Sequence, residues 1–182
     1  RDALGLAGVH DMRGHLSAAL YALDECITEA RAASDRTTEG RGHLGAARTL
    51  SGVGQYEEAR HELDRAQSLL ASEVELAQLW FERGNVYQEE SRGQEQASHE
   101  GLALAALQQA QRHAERARST HLLIPIELNM AFSLAELRRL DEAERHLETA
   151  ALYDRDHRHG SIQQQIRARI AYRRGDLTLA SS

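Results

Sequence analysis

Lysine is absent from this chain, cysteine and proline occur once each, and only 4% of the residues are aromatic. With so few large side chains, one globular core has little to close around, so burial must be spread thinly along the molecule. All 22 basic residues are arginine, which reads as the compositional bias of a GC-rich genome rather than a functional choice. The net charge of −6 argues against a general nucleic-acid binder, which normally shows a basic face able to displace counterions. Cys26 has no partner for a disulfide and no zinc-type cluster around it, which fits a reducing compartment, the cytoplasm. No apolar run approaches the roughly 18 residues that cross a bilayer, and Arg1-Asp2-Ala3-Leu4 lacks the layout of a signal peptide. The chain does not begin with Met, so we expect a piece of something longer.

What the chain has is Ala, Leu, Glu, Arg and Gln, the residues that lose least on entering a helix, so the expected class is all-α. It also repeats itself. Gly54-Gln55-Tyr56-Glu57-Glu58-Ala59 is followed by Leu63 and Ala66, and the same order returns as Gly14, Leu16, Ala19, Leu23 and Cys26. It returns again as Leu140-Asp141-Glu142-Ala143 with Leu147 and Ala150, more faintly as Ala103, Leu107 and Ala110, and it starts once more at Gly175-Asp176-Leu177 with Ala180. Spacings of four and three put the small residue, the Leu and the second small residue on one helix face, where a close neighbour needs them. Twelve residues before the first small residue stands another, Ala7, Ala47, Ala131 or Ala168, inside a second helical segment. In the remaining copy the counterpart is Gly84, nineteen residues before Ala103.

This order resembles the tetratricopeptide-repeat family, in which helix A carries an aromatic, a Leu-Gly pair and a Tyr, and helix B carries Ala, an aromatic or Leu, and Ala. Trp80, Gly84 and Tyr87 match helix A, with Arg83 in the Leu slot; Ala59, Leu63 and Ala66 match helix B. The resemblance implies a right-handed α-solenoid of about five antiparallel helix pairs with the last pair truncated, one domain over 1–182 with repeats near 1–34, 35–71, 72–119, 120–158 and 159–182. The intervals between helix A small residues depart from the family's usual thirty-four. They are 40 from Ala7 to Ala47, 37 to Gly84, 47 to Ala131 and 37 to Ala168. The extra residues of the third copy fit either two lengthened helices or a polar loop through Ser91–Ser98, a segment (91–99) that could also serve recognition.

Local signals give further expectations. Ser72 with Glu75, and Ser161 with Gln164, have capping-box spacing; Pro125 suits a first helical turn; Gly14, Gly54 and Gly175 stand where helix A turns into helix B. Gly40, Gly42 and Gly45 each cost a helix up to about 1 kcal/mol, so Glu39–Gly45 should fray.

For chemistry the chain offers little. The best metal candidate, Asp154-Arg155-Asp156-His157-Arg158-His159, reads as a solvated turn because its arginines repel a cation. His10 fills an aromatic slot, and His113, His121 and His146 read as surface residues. Cys26 occupies a small-residue packing slot, and there is no phosphate loop or nucleophile elbow, so we expect no catalysis, no metal and no cofactor. A solenoid does offer a groove. The resemblance places helices A on its concave face and so implies a partner-binding set of Leu44, Arg48, Phe81, Asn85, Gln88, Leu128, Phe132, Arg169, Tyr172 and Arg173. The Lys and Asn set of the family's chaperone-tail binders is missing. The expected function is a non-catalytic protein- or peptide-binding scaffold, with no direct nucleic-acid or membrane partner. Alternatives are the sensory or regulatory arm of a larger bacterial effector, such as a CHAT-type protease or a transcription regulator, and a small-peptide receptor. Exposed faces of the end repeats would also let two copies pair as a homodimer.

Overall fold

The computed structural model describes residues 16–94, 97–154, 156 and 158–175. Among them the chain forms eight helices and no strand: α1 Leu16–Ala32, α2 Arg36–Ser51, α3 Tyr56–Leu69, α4 Glu73–Gln94, α5 Ala97–Arg116, α6 Thr120–Glu136, α7 Leu140–Tyr153 and α8 Gly160–Arg174. The first-copy anchors Ala7, His10 and Gly14, and the last-copy residues Asp176, Leu177 and Ala180, lie outside the described residues. Among the described residues no helix is long and apolar enough to cross a membrane.

Helix ends follow from local chemistry. Asp35 closes the turn before α2 by accepting the Thr38 N–H at 3.1 Å, and Ser72 with Glu75 forms the expected capping box, the Ser72 hydroxyl donating to the Glu75 carboxylate at 2.7 Å. Acidic pairs open α3 (Glu57, Glu58) and α7 (Asp141, Glu142), where they face the positive end of the helix dipole. Gly54 and Gly175 take φ of +80° and +90°, as a turn out of a helix demands, and Arg138 reaches +58° at the equivalent point after α6.

Three local expectations are corrected. Ser161 does not cap α8, which starts at Gly160; the Asp154 carboxylate instead accepts the N–H groups of Arg158 and His159 at 3.1 and 2.9 Å and closes that turn from behind. Pro125 lies inside α6, beyond its first turn, and the helix continues past the lost donor. Glu39–Gly45 is an unbroken part of α2, because its glycines are the points where neighbouring helices come closest. A Cβ on Gly42 would lie 2.6 Å from Ile27 Cγ1, one on Gly45 2.7 Å from Leu23 Cδ2, and one on Gly40 2.6 Å from Leu70 Cδ2. Helix propensity, read on α2 alone, is outweighed by the approach that hydrogen side chains permit.

These contacts also fix direction. Ile27 meets Gly42 and Leu23 meets Gly45, so α1 and α2 run antiparallel. Gly84 meets Leu107 while Glu90 meets His99 further along, so α4 and α5 do the same. Packing then passes from each helix to the next along the chain, and additionally between α2 and α4, α4 and α6, and α6 and α8. The result is a stack of helix pairs in which each first helix (A) touches its own partner (B) and the first helix of the next pair.

The small–Leu–small pattern is the core of this stack. Ala59, Leu63 and Ala66, then Ala103, Leu107 and Ala110, then Ala143, Leu147 and Ala150 are all buried, as are Ala19, Leu23 and Cys26. Each buried Leu contributes roughly 1.5–3 kcal/mol of transfer free energy. Trp80 packs against the two larger clusters and joins them. The extra residues of the third copy lengthen both its helices: α4 runs to Gln94 and α5 begins at Ala97, leaving only residues 95 and 96, outside the described set, between them.

A second signature of the repeat is an exchanged His–Glu hydrogen bond. His43 stands four residues before Ala47 on α2 and bonds Glu62 on α3 at 2.6 Å. Glu127 stands four residues before Ala131 on α6 and bonds His146 on α7, again at 2.6 Å. The two pairs occupy equivalent positions with the partners swapped.

Candidate functional site

The A helices α2, α4, α6 and α8 are tied to one another by polar side chains. Arg41 reaches Glu75 at 3.0 Å and Ser51 donates to Glu89 at 2.8 Å, joining α2 to α4. Asn129 donates to the Asn85 side-chain oxygen at 2.6 Å, and the Gln88 amide donates to Ser133 Oγ at 2.8 Å and to the Asn129 carbonyl at 2.9 Å, joining α4 to α6. Arg169 and Arg173 both donate to Glu136, joining α8 to α6. Residue numbers rise together on both sides of each contact from α2 to α4 and from α4 to α6, so these A helices lie parallel.

The ten residues expected in a groove divide on this geometry. Leu44 and Leu128 are buried in the hydrophobic clusters, and Gln88 is buried with its amide consumed between α4 and α6, so these three are covered by the stack. Their helical phase is that of the A-face, but α6 lies over Gln88 and the hydrophobic clusters enclose Leu44 and Leu128. Phe81 and Phe132 are half-buried, each with part of its ring packed on the core. Asn85 is half-buried and bonded to Asn129, while Arg48 and Arg169 are exposed. Tyr172 is 62% exposed, and Arg173 is half-buried against Glu136.

Around Phe132 the structure assembles a site that the sequence only half suggests. The Arg92 guanidinium lies 4.6 Å from the ring centroid and that of Arg169 5.2 Å, so the ring is held by cations from α4 and α8. Burial alone would raise the Glu136 carboxyl, but the guanidiniums of Arg169 and Arg173 hold it below the usual carboxylate range. Nearby, burial raises the Glu100 carboxyl more than the Ser133 and Ser91 hydroxyls and the Arg92 charge lower it, with Glu136 adding to the rise. Withdrawal from water likewise raises Glu82, against the pull of Asn85 and Arg48. Arg92, Arg169, Arg173 and Glu136 thus gather charge around Phe132, and exposed Tyr172 lies one turn along α8 from Arg169. Arg92, Ser133 and Glu136 were missed from sequence. The signal for Ser133 and Glu136 was present as the one-turn spacing Asn129, Phe132, Ser133, Glu136, which lines a single strip of α6, whereas Arg92 stands on α4, one turn beyond Gln88.

Cys26, His113, His146 and Asp154 are engaged within the fold. Cys26 is 3% exposed, and burial pushes its thiol up, away from reactivity. His113 and His146 are not free surface residues, since each bonds a Glu of another helix at 2.6 Å; His121 is exposed. In the turn Asp154–His159, Arg155 and His157 lie outside the described residues, and the Asp154 carboxylate is occupied by two backbone N–H groups and by the Gln163 amide at 3.1 Å. Among the described residues no three His, Cys, Asp or Glu side chains are grouped to hold a metal ion. No protein-family model matches the chain, and no curated protein matches it either.

Proposed function

We propose that this chain is a tetratricopeptide-repeat-like array that binds a protein or peptide partner along the A-face, works without catalysis, and acts in the cytoplasm. The observation that carries this reading is the Phe132 site. An aromatic ring clasped by Arg92 and Arg169, with Glu136 bonded to Arg169 and Arg173 and exposed Tyr172 one turn along α8 from Arg169, combines the apolar anchor and the charged rim that protein recognition uses. The division into five repeats, the last incomplete, is part of the same reading. It is supported by the recurring small–Leu–small face and by the exchanged His–Glu pair.

The test is capture from the source cell's lysate with the immobilised chain, beside an Arg169→Glu/Tyr172→Ala variant. Neither residue belongs to the buried core, so both chains should give the same helical circular dichroism. A partner held by the parent and lost by the variant supports the proposal. Equal capture by the two moves the function off this face.

A further inference from the structure

The Phe132 cluster is locally positive in a chain whose net charge is −6. Arg92, Arg169 and Arg173 gather there, and Glu136 is bonded to two of them, Arg169 and Arg173. Arg92 is different. It is exposed on α4 with its guanidinium 4.6 Å from the Phe132 centroid, and among the described residues its side chain donates no hydrogen bond and forms no ion pair. A cation over an aromatic ring uses its charge there but leaves its N–H donors unspent. Arg92 does pull on Glu100, yet that carboxyl is 3% exposed and burial raises it above the usual carboxylate range, which makes it a poor counter-charge.

We infer, resting on the A-face reading above, that the partner segment is acidic: a side-chain carboxylate of the peptide pairs with Arg92 while an adjacent apolar residue covers the accessible part of the Phe132 ring. Arginine suits this role because its planar fork takes a carboxylate in two parallel hydrogen bonds. The apolar neighbour follows from the ring, which is only half-buried by its own chain. The acidic stretch is short. Glu89 stands one turn before Arg92 on α4, bonded to Ser51, so a long polyanion such as a nucleic-acid strand would meet like charge there and from the chain as a whole.

The test is selection of random peptides displayed on phage against the immobilised full chain, followed by fluorescence anisotropy on the enriched peptides. Because displayed peptides are fused at their C-terminus, they offer side-chain carboxylates and no terminal one. The expected result is enrichment of Asp or Glu beside an apolar residue, with binding weakened about tenfold or more by Arg92→Gln, the worth of a charge-assisted hydrogen bond. Arg92→Lys, which keeps the charge but not the fork, should recover part of the loss, and both variants should keep the helical circular dichroism of the parent. Neutral or basic peptides that are lost on Arg169→Glu would overturn the acidic class while leaving the A-face as a binding surface. Peptides indifferent to both Arg92→Gln and Arg169→Glu would refute the inference and count against that face as well. No enrichment over an unrelated immobilised protein refutes the inference alone, since lysate capture judges the A-face separately. Single-stranded DNA bound as tightly as the acidic peptides, and lost with Arg92→Gln, would assign the cluster to phosphate instead.

Discussion

Replacing glycine by alanine at two places in this molecule should move stability in opposite directions. Gly101 lies within α5 with nothing within 4 Å of where a Cβ would go. Alanine there brings only its better helix propensity, a gain of about 1 kcal/mol. Gly42 lies within α2, and the added carbon would meet Ile27 Cγ1 at 2.6 Å, inside any ordinary carbon contact. Ile27 is β-branched and buried, so it cannot turn away cheaply, and α1 must be pushed off α2. Overpacking of this kind costs about 1–3 kcal/mol. Set against the same propensity gain of about 1 kcal/mol, the net effect runs from nearly neutral to about 2 kcal/mol of destabilisation. Gly45→Ala acts on the same seam through Leu23, at 2.7 Å. Because one displacement of α1 relieves both clashes, the double variant should cost less than the sum of the singles. Urea unfolding followed by circular dichroism measures all four chains, and adding Ile27→Ala to Gly42→Ala should cost less than Ile27→Ala costs in the parent. A Gly42→Ala midpoint raised as far as that of Gly101→Ala would refute the reasoning, since it would mean that α1 does not sit on Gly42.

The other perturbations concern charge. His43→Ala or Glu62→Ala should each lose roughly 1.5–3 kcal/mol, the worth of a charge-assisted hydrogen bond, whereas the exchange His43→Glu/Glu62→His, which copies the Glu127–His146 arrangement, should recover most of it in the same unfolding assay. Glu62 is held low, chiefly by the His43 hydrogen bond, so its contribution is complete above the unfolded carboxyl value of about 4.3 and is lost as pH falls through the lower folded value; Glu62→Gln should flatten stability against pH in that window. Glu100 has the opposite sign: its folded value is raised by burial, so the folded state binds the proton more tightly and stability falls as pH rises from the unfolded value towards the folded one. Glu100→Gln should therefore leave stability unchanged or higher at neutral pH, and a large loss there would show that the ionised carboxylate is needed.

How much of this was legible in the sequence depended on whether a feature lies within one helix or between two. The four-three spacing at Ala59, Leu63 and Ala66 belongs to one helix and led directly to the buried face. Cys26 was readable as a packing residue for the same reason. Gly40, Gly42 and Gly45 were misread because their meaning lies in Leu70, Ile27 and Leu23, which belong to other segments. The A-face was placed by helical phase, but phase carries no depth. Leu44, Gln88 and Leu128 share the phase of Arg48, Asn85 and Phe132, yet the former are buried while Arg48 is exposed and Asn85 and Phe132 are half-buried. The ties Asn85–Asn129 and Arg169–Glu136 span 44 and 33 residues, so no local pattern announces them. The exchanged His–Glu pair becomes visible only after the copies are aligned on Ala47 and Ala131.

The central claim is that partners dock on the A-face beside Phe132. Photo-crosslinking tests it most directly, with a benzophenone amino acid placed at Tyr172 on α8 in one chain and at Tyr21 on α1 in another. Both side chains are well exposed, at 62% and 66%. Tyr172 shares a helical face with Arg169 and Arg173, whereas Tyr21 lies on a B helix. Irradiation in the source lysate should give a discrete adduct from position 172 that Arg169→Glu removes, and none of the same mass from position 21. The same adduct from position 21, or from position 172 regardless of Arg169→Glu, would contradict the account.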